Sequence, residues 1–340
     1  MELWLAEKYL EGRLPVPGPL LQVCLDSYVS VSNGLEARLP TNSPPANGNG
    51  SPSAIAAKSH ELVRAQYDNP RRLFEHMLGP TMKYSMALWR DETATLEEAQ
   101  EAMMADLCRK AGIRDGDAVL DVGCGFASFA AFVLRRFPRC TVTGLNLSRV
   151  QIEYIREKSA TPGHPLATDR FRLIEGDFNT ADLAGPYDRI VSIGFFEHVS
   201  DLGRALEKLA GALRPDGSCL LHYIVYFKPL RREIPRPAHD GFIGRYIFPG
   251  GRIWHEDELF DHQRHLRVVQ TWFLSGNHYR RTLEHWHANF RRFAAGPAAE
   301  TGLDPRTTRL WDLYLRACIA VFKAKGGRYY GNGQYLLRAA

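Results

Sequence analysis

The chain predicts an α/β fold: a mostly parallel sheet with helices on both faces. Two patterns point to it. An apolar run, Val119-Leu120-Asp121-Val122, feeds a Gly123-Cys124-Gly125 turn, and an apolar-periodic segment follows from Ser128 to Phe137. That is the strand, turn and helix of a nucleotide-binding corner. Strand-like runs then alternate with helical patterns as far as residue 226, which indicates βαβ units. With 340 residues there is material for one large cored domain or two small ones.

Taken in order, residues 1–38 read as two short helical pieces broken at Pro15, Pro17 and Pro19. Residues 40–53 (PTNSPPANGNGSPS) have almost nothing to bury and read as a linker. Helical patterning resumes over 54–67. A second helix spans Asp91 to Arg109, with Thr95-Leu96-Glu97-Glu98 as an N-terminal cap. Strands are expected at 117–122, 140–145, 171–175, 187–193 and 217–226, with helices at 127–137, 148–159 and 202–213. Residues 227–263, rich in Pro, Arg and aromatics, break the rhythm and read as a cap over the strand ends. A strand at 266–274, helices at 279–293 and 304–325 and a strand at 334–338 complete the sheet. The expected division is 1–53 (helical segment and linker), 54–112 (helical cap) and 113–340 (core).

Bulk properties exclude little. No run of about 18 apolar residues exists to span a bilayer. The first ten residues carry Glu2, Glu7 and Lys8 and lack a signal-peptide core, so a cytoplasmic location is expected. The six cysteines lack metal spacing and read as buried reduced thiols, with no metal site. A net charge of +5 gives no reason to expect nucleic acid as a partner. The pairs Arg231-Arg232, Arg280-Arg281 and Arg291-Arg292 suit either solvated faces or peripheral contact with an anionic membrane.

The turn suits a dinucleotide or S-adenosylmethionine. A dinucleotide fingerprint needs a third glycine and an acid after the second strand. Here Ala127 follows Phe126, and the second strand ends Gly144-Leu145-Asn146. The acid lies ahead of the glycines, as Asp121, where it can order the turn and meet a cationic ligand. Asp177 can accept from an adenine amino group with Phe178 against the ring, or can serve as an ordinary turn residue. Asn146 and Gln151 are candidates for ribose hydroxyls, or plain caps.

Several motifs resemble class I S-adenosylmethionine-dependent methyltransferases, in the branch of cyclopropane fatty acid synthases, mycolic acid cyclopropane synthases and coclaurine-type N-methyltransferases. They are Leu78 to Ser85 (LGPTMKYS), Thr95 to Gln100, Asp121 to Gly125, Val191 to Val199 (VSIGFFEHV), Leu220-Leu221-His222, Tyr246 to Gly251, and His278-Tyr279 with Thr282 and Trp286. The resemblance runs from about Tyr67 onward. It implies a Rossmann-like methyltransferase sheet with N-terminal helices and an inserted cap over the strand C-terminal ends. It also implies S-adenosylmethionine as cofactor, bound at Gly123 and Gly125 with Tyr84 and Ser85 folded over it. Where the family commonly has Gly-Cys-Gly-Trp-Gly, this chain has Phe126 and Ala127, and the alanine is expected to crowd the methionine moiety slightly.

Glu197 and His198 follow the fourth strand, and His222 lies near the end of the fifth. Both strand ends are expected to open on the ligand crevice. By resemblance to cyclopropane synthases, Glu197, His222 and Tyr279 hold a bicarbonate ion, with backbone contacts from Met86 and Ile224. His198 is a further catalytic candidate or else a structural partner, and Met86 stands where a cysteine is familiar. The N-methyltransferase branch usually carries a glutamate at Gly194 and a second histidine near Tyr226, and both are missing. Chain length, the lack of a large N-terminal lipid-binding domain and Trp272 to Tyr279 look more like that branch. Phe195, Tyr246 and Trp272 are candidates for an apolar acceptor pocket. The expectation is methyl or methylene transfer to carbon of an unsaturated lipid-like acceptor, with N-methylation of a small amine as the alternative.

Overall fold

The computed structural model describes residues 3–36, 55–56, 70–92, 94–227 and 251–340. In chain order these give α1 (Leu3–Leu10), α2 (Gly18–Glu36), α3 (Arg71–Leu78), α4 (Leu96–Ala111), β1 (Ala118–Val122), α5 (Ser128–Arg136), β2 (Thr141–Asn146), α6 (Arg149–Ser159), β3 (Phe171–Glu175) and β4 (Tyr187–Ile193). Then come α7 (Leu202–Ala212), β5 (Leu213–Tyr226), β6 (Trp254–His255), β7 (Leu266–Ser275), α8 (Gly276–Ala294), α9 (Ala298–Thr301), α10 (Pro305–Gly327) and β8 (Tyr330–Ala339). The expected linker at 40–53, residues 57–67 of the expected helical stretch 54–67, and the cap residues 228–250, Tyr246 among them, lie outside the described residues.

The sheet runs β3-β2-β1-β4-β5-β8-β7, with β6 paired to β5. β1 to β5 pair in parallel, whereas β8 lies antiparallel between β5 and β7. Neighbouring strand residues bury on opposite faces. Val119, Val191 and Leu220 join the core under α4, α5 and α8, while Leu120, Ile190 and Leu221 join the core under α7. This is why the central strands read as continuous apolar runs.

Helix ends follow local chemistry. α4 starts at Leu96 rather than Asp91 because Thr95 takes the N-cap. Its hydroxyl accepts from Glu98 N at 3.2 Å, and Glu98 Oε2 accepts from Thr95 N at 2.8 Å. α2 is 19 residues long, not a short piece. Pro19 sits in its first turn, where a missing N–H removes no helical bond. Leu10, Leu21 and Leu25 of the first two helices pack on Leu313 and Ala320 of α10, and Lys323 pairs with Asp26 at 2.6 Å. Trp4, Val23, Tyr28 and Val31 of the same helices are exposed. The buried-thiol expectation is corrected at Cys24, which is exposed, and Cys318, which is half-buried. No helix of the described residues is long and apolar enough to cross a membrane.

Candidate active site

The carboxyl ends of β1, β2 and β4 frame a cleft of about 1060 Å³, part of it open to solvent. Its floor is the glycine turn. Gly123 N and Cys124 N both donate to Leu145 O, at 3.1 and 3.0 Å, which ties the turn to β2. Gly123 has φ +73°, and a Cβ there would lie 2.8 Å from Phe195, so the position admits only glycine. Gly125, at φ +57°, faces open space. Ala127 adopts φ +56° as the N-cap of α5 and is fully buried outside the cleft wall. The expected crowding of a ligand by its methyl is therefore corrected; the alanine bears backbone strain instead.

Asp121 closes β1 and lines the cleft. It is 1% exposed, and neither carboxylate oxygen has a hydrogen-bond partner. Burial pushes its carboxyl up to about 7. A buried carboxylate with two unmet oxygens suits a cationic, proton-donating ligand group.

The other predicted cofactor residues fall around the same space, with some already committed to the protein. Tyr84, Ser85, Gln151, Asp177, Phe178, Gly194 and Phe195 line the cleft, as does Asn146. Asn146 Nδ2 donates to Gly125 O at 2.7 Å and to Gln151 Oε1 at 3.1 Å. Its Oδ1 accepts from Ser148 N at 2.9 Å, so Asn146 braces the turn, and Gln151 Nε2 is the better-placed donor for a hydroxyl. Asp177 Oδ1 accepts from Asn179 N and Nδ2, both at 2.8 Å, a turn-cap role alongside its place in the wall. The Tyr84 ring is supported by Phe74 and Trp286 at centroid distances of 5.6 and 5.4 Å.

The proton-handling candidates are distributed differently from the expectation. His198 lines the cleft, and burial lowers it to about 4, so it is neutral at physiological pH. Glu197, His222, Tyr279, Met86, Ile224 and Trp272 are not part of the cleft wall. Glu197 is buried, next in sequence to the cleft-lining His198. Its Oε1 accepts from Ile224 N at 2.8 Å, Oε2 has no partner, and burial raises its carboxyl to about 7. His222 is bound through its carbonyl to Gly194 N at 2.8 Å, while its ring turns toward β8. Tyr279 packs on Phe322 and Trp286 at 4.5 and 6.1 Å. Trp272 lies 4.8 Å from the Lys110 ammonium.

Sequence reading missed Lys83. It is buried in the cleft wall and donates to Ser85 Oγ and Met86 O, both at 2.6 Å. Burial lowers it to about 7. The signal was a lone cation among Met82, Tyr84, Met86 and Ala87. The segment carrying it docks on α8. Thr282 Oγ1 accepts from Ala87 N and from Trp89 Nε1, both at 3.1 Å. The motif residues Thr282 and Trp286 are thus scaffold for residues 84–89.

Comparison with known proteins places this arrangement. A probable fatty acid methyltransferase of Pseudomonas putida is 34% identical over 267 residues, covering 77% of this chain and 66% of that protein. The (S)-coclaurine N-methyltransferase of Papaver somniferum is 30% identical, covering 69% and 66%. The chain thus spans just under two thirds of the length of these relatives. Among solved structures, coclaurine N-methyltransferase with N-methylheliamine and SAH has a TM-score of 0.76 at 24% identity, covering 98% of this chain and 94% of that one. The cyclopropane synthase MmaA2 of Mycobacterium tuberculosis has a TM-score of 0.71 at 28% identity, covering 82% and 98%. Residues 56–329 match the mycolic acid cyclopropane synthetase family, and the chain belongs to that family.

Proposed function

We propose that this chain transfers a methyl or methylene group from S-adenosylmethionine to carbon of an apolar, unsaturated, lipid-like acceptor. The carrying observation is Asp121, a buried carboxylate with both oxygens unmet in a cleft built on a glycine turn. The cofactor, when bound, supplies an electrophilic methyl on a sulfonium. Asp121 offers its oxygens to the cationic methionine end, and Gln151 and Asp177 serve the ribose and adenine side. The Tyr84 ring favours positive charge by about 0.5–2 kcal/mol.

Carbon as the acceptor atom is supported at Gly194. The amine branch's glutamate is absent there, and φ is +67°, a conformation that disfavours any side chain. Glu197 Oε2 is the proton acceptor, directly or through a held bicarbonate, because it is buried, unpartnered and near neutrality in its titration. Ile224 N–H is already taken by Glu197 Oε1, so an ion would have to share that donor. We place the reaction in the cytoplasm, in peripheral contact with a membrane where the acceptor is a lipid. The exposed Trp4, Val23, Tyr28 and Val31 support such contact.

N-methylation of a small amine is the second reading. It is favoured by the fold likeness to coclaurine N-methyltransferase, which extends over 98% of the chain and so includes α1 and α2. The test is to incubate the protein with S-adenosylmethionine and either an unsaturated phospholipid or an amine panel, then to analyse products by mass spectrometry and proton NMR. Cyclopropane or C-methyl signals support the first reading. N-methyl products alone would replace it with the second. Loss of S-adenosylmethionine binding heat would remove both.

A further inference from the structure

His222 is wholly buried in the middle of β5, and both its ring nitrogens face β8. Gln334 Nε2 lies 3.1 Å from Nδ1, and the amide end of Asn332 lies 3.3 Å from Nε2. A neutral imidazole offers one donor and one acceptor. Two amide N–H groups therefore cannot serve both nitrogens, and one amide must present its oxygen.

The surroundings decide which. Gln334 Oε1 accepts from the Lys110 ammonium, and an ammonium has only donors. Gln334 is thereby oriented with its oxygen toward Lys110 and its nitrogen toward the ring. Lys110 is itself held by Asp106 Oδ2 at 2.7 Å and by the Trp272 face at 4.8 Å. Asp106 is fixed in turn by Arg109 at 2.6 Å. Asn332 has no such tether, and its Oδ1 is buried without a partner.

We propose that Lys110 is a positioning residue that acts through Gln334 to hold His222 as the Nε2–H tautomer, with Asn332 Oδ1 accepting a hydrogen bond from that N–H. Which ring nitrogen carries the proton is set by the bond the other one makes. A second proton on Nδ1 would have to displace Gln334 from Lys110. Burial and the nearby charges of Lys83 and Lys110 oppose it as well. Held neutral in this way, His222 fixes β5 beside the cleft, where its carbonyl accepts from Gly194 N at 2.8 Å, and Glu197 is left as the proton acceptor. The functional half of this inference rests on the proposed methyl transfer, but the tautomer does not.

Full-length protein labelled with ¹⁵N in the histidine rings tests it, because protonated and unprotonated ring nitrogens resonate in separate ranges. A His222→Gln spectrum assigns the signals. The expected wild-type pattern is unprotonated Nδ1 and protonated Nε2 on both sides of neutral pH. In Gln334→Glu a carboxylate accepts from Lys110 and from the ring together, so the proton should move to Nδ1. In Lys110→Met the Gln334 amide is released and the pattern should average. A wild-type proton on Nδ1 or on both nitrogens would overturn the proposal, as would an unchanged pattern in Gln334→Glu, which keeps side-chain size should Lys110→Met fail to fold. Turnover of Gln334→Glu should fall at least about tenfold while calorimetric S-adenosylmethionine affinity is kept. Full turnover alongside a reversed tautomer would overturn the functional half of the inference.

Discussion

Asp121→Asn should make the ligand-free protein more stable and the cofactor complex weaker. The carboxyl titrates at about 7 in the fold against an ordinary 3.8, a rise of roughly three pH units caused by burial. Each unit corresponds to about 1.36 kcal/mol, so keeping this group ionised in the fold costs at most about 4 kcal/mol. The folded pKa is the raised one. The cost is therefore absent below about pH 4, grows through pH 4–7 and is complete above 7. An uncharged amide escapes it. Urea unfolding at pH 8 should thus show the variant gaining up to about 4 kcal/mol, and at pH 4 nearly nothing. Calorimetry with S-adenosylmethionine should show the opposite, a loss of about 1.5–3 kcal/mol from the missing charge-assisted bond. Cofactor binding to wild type near pH 6 should also release protons, visible as a dependence of heat on buffer. A variant that is less stable at pH 8, or that binds the cofactor as well as wild type, would refute the role given to this carboxylate.

Glu197→Gln should lower turnover by about 10²–10⁴ while leaving cofactor affinity within about twofold, read by single-turnover kinetics and calorimetry. Because Glu197 must be ionised to accept a proton and its carboxyl is raised to about 7, wild-type turnover should climb as pH rises through neutrality, and the pH–rate profile checks it. Thr282→Val orphans two buried donors and should cost about 1–3 kcal/mol in urea unfolding. Gly194→Ala should cost about 1–2 kcal/mol from backbone alone, since its Cβ would meet only Ser85 Cβ at 3.9 Å; a much larger loss would reveal a clash the geometry does not contain.

The central strands were legible because each is apolar on both faces, and the α4 cap because Thr95 and Glu98 sit at capping-box spacing. β8 was read four residues short, starting at 334 instead of Tyr330. Gly331 and Gly333 look like turn residues in one dimension. In the fold they are close-approach residues: a Cβ at 331 would sit 2.1 Å from Leu274 O, and one at 333 would sit 2.5 Å from the Tyr335 ring. α8 starts three residues early for a similar reason. Ser275 caps it, and Gly276 leaves room for Tyr330 O. The turn, Asp121 and the cleft-lining residues were readable from one local motif. The partners of His222 were not, because Lys110 and Gln334 are 224 positions apart in sequence. Only the antiparallel placement of β8 beside β5 sets Gln334 opposite His222.

The position of β8 also has a consequence for how the sheet is made. β7 is translated some fifty residues before β8, yet among the described strands it pairs only with β8, residues 330–339. Among the described strands, the link between the parallel half and β7 is therefore completed only by a strand made after both. Until then no described strand covers that edge of β5 or either edge of β7, and uncovered edges are templates for pairing with other chains. A ribosome-stalled chain ending before residue 330 should be aggregation-prone, with its aggregates nucleated at those two edges.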